Sequence, residues 1–110
     1  MIQDTINKLE ASVRDVSTLK DKNKAELLQL LSTLKTEVGE LAKTHADEAN
    51  SIAGFAAVST HEATRMEPKA ELLELSLKGL ARSVEEIEGT HPRVVQVVNS
   101  FCTALSNLGI

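Results

Sequence analysis

The chain has 110 residues, 42% of them hydrophobic, and its only aromatic residues are Phe55 and Phe101. A formal charge of −4 and so few stacking rings exclude nucleic-acid binding, which depends on basic surfaces that release counterions. One cysteine allows no internal disulfide, no basic-then-apolar leader opens the chain, and the longest apolar run, residues 52–58, is too short to span a bilayer. A single cytoplasmic domain over residues 1–110 is therefore expected, with no membrane partner.

The first predicted helix covers about residues 4–17. Ile2, Ile6, Leu9, Val13 and Val16 alternate steps of four and three, the seam of a helix that packs on a neighbour. A polar turn at 18–22 is short enough to send the next helix back along the first. Asn23 with Glu26 resembles a capping box, which places the start of the second helix near 23.

From there one apolar stripe keeps its phase for about forty residues. Leu27, Leu31, Leu34, Val38, Leu41, His45, Ala49, Ile52, Ala56 and Ala63 fall within roughly 40° of one direction at 100° per residue. The reading is one long helix over about 23–65, near 65 Å at 1.5 Å per residue. Beyond Ala46 the stripe is rich in Ala, Ser and Gly, which lets a neighbour approach closely; Gly54 marks a bend.

Pro68 ends that run and opens the third helix, whose stripe is Leu73, Leu77, Leu80, Val84 and Ile87. Leu72 and Leu75 lie off this stripe, so the helix touches neighbours on two sides. Gly89 is a stop signal. The fourth helix runs from Thr90-His91-Pro92 to Leu108 on Val94, Val98, Phe101 and Leu105, and Gly109 with Ile110 reads as a Schellman ending. No internal repeat is expected. The fold class is all-α: an antiparallel helical bundle with one long central helix, or a four-helix bundle if that helix breaks near residues 44–50.

The sequence carries little chemistry. His45 and Glu48 share a helix face, but a di-metal bundle needs paired Glu-x-x-His motifs on facing helices, and none is present. His61 points away from His45. Cys102 sits beside Phe101 on an apolar face, where a thiol is inert. No nucleophile elbow and no glycine-rich phosphate loop occurs. No catalytic residue, metal ligand or cofactor is assigned; a metal-binding or enzymatic bundle on His45 and Glu48 is the alternative reading.

The tail from Thr90-His91-Pro92 to Leu105-Ser106-Asn107-Leu108-Gly109-Ile110, with Glu26-Leu27-Leu28, Ser51-Ile52-Ala53-Gly54-Phe55 and His61-Glu62-Ala63, resembles a family of short bacterial helical proteins classed as a domain of unknown function. The resemblance implies a bacterial, cytosolic, all-helical protein. It brings neither an activity nor catalytic residues.

A 65 Å helix cannot be covered along its length by the other three, and its broad Leu27-Leu28-Leu30-Leu31 face would stay partly bare. The expectation is thus a non-enzymatic protein–protein interaction or structural module that forms a homodimer. Ile2, Leu28 and Leu30 are the candidate contacts, followed by Ile52 and Phe55.

Overall fold

The computed structural model describes residues 2–108. Five α-helices form an all-α bundle: α1 (Ile2–Asp15), α2 (Asp21–Ala42), α3 (Ala46–Thr64), α4 (Ala70–Ser83) and α5 (Pro92–Ser106), with a short 3-10 turn at Glu85–Ile87. The expected Schellman ending at Gly109 and Ile110 lies outside the described residues.

The long helix is not formed. Its 65 Å would not fit a molecule whose extents are 37 × 25 × 20 Å. The chain leaves α2 at Lys43 and enters α3 at Ala46, turning so that α3 packs back on both α1 and α2. His45 departs from helical dihedrals, at φ −135°, ψ 64°. Its N–H donates to the Leu41 carbonyl at 2.8 Å, and its own carbonyl accepts from Ala49 N–H at 3.0 Å. One helix therefore hands over to the next without losing the spacing of four that joins Leu41, His45 and Ala49. The stripe stays in phase because each helix buries its own side of one core; a 3.6-residue period carries no information about whether the axis bends.

The corresponding turn before α5 is nearly the same. His91 has φ −135°, ψ 65°, and its N–H donates to Ile87 O at 2.8 Å. His45 and His91 are 46 positions apart, and at that same offset the chain pairs Leu27 with Leu73, Leu31 with Leu77, Leu34 with Leu80, Val38 with Val84, Leu41 with Ile87, Thr44 with Thr90, Ile52 with Val98 and Phe55 with Phe101. No gap is needed. The expectation of no repeat is corrected: α2–α3 and α4–α5 are two versions of one helical hairpin. Exchanging the halves maps the α3–α4 packing onto α5–α2, and α2–α3 onto α4–α5; all four packings are present. The two histidine rings meet edge to face, with centroids 5.0 Å apart. α1 is the addition outside this duplicated unit.

One core runs through the bundle, built from Ile6, Val13, Leu27, Leu31, Leu34, Val38, Ile52, Leu80, Val98, Phe101 and Leu105 with their neighbours. α3 packs on all four other helices. Its small buried residues, Ala49, Ala53, Ala56 and Ser59, are what let so many backbones crowd around it. Lys35 ties α1 to α2, donating to Asn7 Oδ1 at 3.0 Å and to the largely buried Glu10 at 3.1 Å.

Two local expectations fail. α2 starts two residues before Asn23, with Lys20 at the cap position and no side-chain cap bond, so the capping box is not made. α3 runs through Gly54 without a break.

Candidate interaction surface

The bare leucine face expected on α2 is mostly covered. Leu27 and Leu31 are fully buried, and Leu28, Leu30 and Ile2 are partly buried against the core. With α2 only 22 residues long, α1, α3 and α5 suffice to cover it. Ile52 is 0% exposed at the centre of α3, so its side chain has no surface to offer a second molecule. Of the five candidate contact residues, Phe55 alone is exposed.

Phe55 leads to the surface the sequence reading passed over. Its ring lies against the backbone of Gly79, occupying the space a Cβ there would take. α3 and α4 pack as an antiparallel hairpin at this seam, and a side chain at 79 would force the ring out. On α4, Leu72, Leu75 and Gly79 share one face at helical spacing. On α3, Val58 follows Phe55 by three. The outer side of the seam therefore exposes Phe55 (40%), Val58 (50%), Leu72 (41%) and Leu75 (60%), with Met66 in the connecting loop at 90%.

The duplicated half supplies an internal control. At the offset of 46, Leu72 and Leu75 correspond to Glu26 and Gln29, and Val58 to Ala104. Phe101, the counterpart of Phe55, is fully buried, and Ala104 is 6% exposed. The α5–α2 packing, equivalent to α3–α4, is thus finished with two polar residues and two buried apolar ones, whereas all four positions are exposed and apolar at α3–α4. Nothing in the fold demands leucine at 72 and 75. Single exposed apolar residues are ordinary, but several side by side are a candidate contact surface.

Charge borders the strip. Glu71 precedes it on α4, while Lys78 and Arg82 follow. Glu74 and Lys78 pair at 3.5 Å within the helix, whereas Glu71 and Arg82 have no ion partner among the described residues. At the far end of the seam an open cleft holds Asp47 and Glu48 of α3 opposite Arg82, Glu85 and Glu86. Beneath the strip, the buried Ser76 Oγ donates to Leu73 O at 2.9 Å. Ser59 Oγ is buried with no hydrogen-bond partner among the described residues.

The histidine chemistry is structural in form. Thr44 and Thr90 hydroxyls contact the Nδ1 atoms of His45 and His91 at 2.7 and 2.9 Å, and lie 3.5 and 3.3 Å from the Leu41 and Ile87 carbonyls. Each Thr-His pair thereby closes the end of one helix and the start of the next. Among the described residues no group of three or more His, Cys, Asp or Glu is placed to hold a metal ion. Burial pushes the Cys102 thiol above its ordinary pKa, away from the reactive thiolate. No helix among the described residues is long and apolar enough to cross a membrane.

The sequence did carry a signal for the strip. Leu72 and Leu75 lie off the core stripe of α4, a pattern that suits a second neighbour and an exposed face equally. No family model, no curated protein and no solved structure matches this chain.

Proposed function

We propose that the protein is a non-enzymatic helical interaction module that associates with a second copy of itself through the outer face of the α3–α4 hairpin. The observation that carries this reading is the strip of Phe55, Val58, Leu72 and Leu75, exposed at the α3–α4 packing, where the equivalent α5–α2 packing carries Glu26 and Gln29 in place of the two leucines. Burying such side chains stabilises an association by about 25 cal/mol per Å² of apolar surface removed from water. Symmetric dimers are the commonest way for one chain to cover a face of its own.

The internal control also supplies the experiment. Leu72→Glu with Leu75→Gln writes the α2 residues Glu26 and Gln29 into the equivalent positions of α4. Light scattering behind size exclusion should give a dimer for the parent chain and a monomer for the double variant. The melting temperature of the monomer should stay within a few degrees of the parent's, since both side chains face outward. A parent chain that runs as a monomer at high micromolar concentration removes the proposal.

A further inference from the structure

We infer that the two copies meet with α4 antiparallel to α4 of the partner, about a two-fold axis passing beside Leu75 and Ser76. This rests on the self-association proposed above and adds its geometry. The apolar face of α4, Leu72, Leu75 and Gly79, is flanked by charges whose sign changes along the helix: Glu71 at the start, Lys78 and Arg82 toward the end. A parallel pairing would set like charges side by side. An antiparallel one sets Glu71 against the partner's Arg82, and both are exposed and unpaired among the described residues of one chain.

The apolar residues favour a register close to that one. Gly79 has no side chain, and Phe55 fills the space above it with a ring that is still 40% exposed. Laying Leu72 over the partner's Gly79 seats it on the partner's Phe55. Pairing Glu71 with the partner's Arg82 puts the axis between residues 76 and 77, and pairing Leu72 with the partner's Gly79 puts it between 75 and 76, one residue away and within reach of the long Glu and Arg side chains. Leu75, the most exposed leucine of the strip, then meets its own copy. In a two-fold contact, residues beside the axis meet their own copies or close neighbours of them.

Two measurements on the full chain test this register. By sedimentation equilibrium, Glu71→Arg and Arg82→Glu should each raise the dimer dissociation constant about tenfold, and the doubly swapped chain should return to within about threefold of the parent. In a Cys102→Ala background, Leu75→Cys should give a disulfide-linked dimer on mild oxidation, whereas Ser12→Cys on the exposed side of α1 should not. A parent dimer unaffected by either charge reversal, with no cross-link at 75, overturns the antiparallel register and leaves self-association standing. Those charges would then serve only the dipole of their own helix. A parent chain that is monomeric overturns both.

Discussion

Ser59 shows what the α3–α4 seam tolerates at the level of one side chain. Its hydroxyl is fully buried and has no hydrogen-bond partner among the described residues, in a helix where Thr60 and Thr64 both return their hydroxyls to carbonyls one turn back. An unpaired buried hydroxyl costs about 1–3 kcal/mol of desolvation. Ser59→Ala should therefore raise the unfolding free energy by about 1 kcal/mol in urea titrations, with little change in the slope. A loss of stability would mean that the hydroxyl is satisfied after all. Small residues here do more than save space: α3 is surrounded on several sides, and a larger side chain at 49, 53 or 56 would push a neighbouring helix away. The sequence made that crowding legible in the Ala-rich run. It could not say that the crowd was the chain's own helices, because side-chain size constrains distance and says nothing about whose backbone approaches.

Among the elements, the Thr-His turns decide the topology. Thr44-His45 and Thr90-His91 each stop one helix at an i−3 carbonyl and start another at the histidine, with matching dihedrals. Pro92 announces the second turn in the sequence, because proline is well suited to the first helical position. Ala46 stands at the same place in the first turn and announces nothing. That asymmetry is why the α4–α5 boundary could be read and the α2–α3 boundary was merged into one helix. Each threonine hydroxyl bridges a helix-end carbonyl and an imidazole nitrogen. Replacing Thr44 or Thr90 by Val keeps the shape and removes the bridge. Each change should cost about 0.5–1.5 kcal/mol by thermal or urea denaturation, and the two costs should be similar because the turns are. A cost at 90 with none at 44 would contradict the equivalence of the two hairpins.

For the molecule as a whole, duplication explains why most of the core was legible. The same stripe is written twice, in Leu27, Leu31, Leu34, Val38 and Leu41 and again in Leu73, Leu77, Leu80, Val84 and Ile87, so each half identifies its buried side without the other. The repeat went unseen because it resides in helix-spaced positions separated by unrelated surface residues; matching turn geometry made it visible. The proposed contact strip is harder to read. The long-helix expectation puts the surplus apolar surface on α2; with that helix broken, the exposed apolar residues lie on α3 and α4. Off-stripe leucines in a sequence can be surface or second core, and only the packing of neighbours separates the two.

The proposed assembly has a location as well as a stoichiometry, and hydrogen–deuterium exchange read peptide by peptide at low and high protein concentration measures both. Raising the concentration should slow exchange along α4 and the facing turns of α3 around Phe55 and Val58, and leave α1 and the start of α2 unchanged. Exchange that is independent of concentration everywhere, or protection gathered around Ile2, Leu28 and Leu30 instead, would contradict the account.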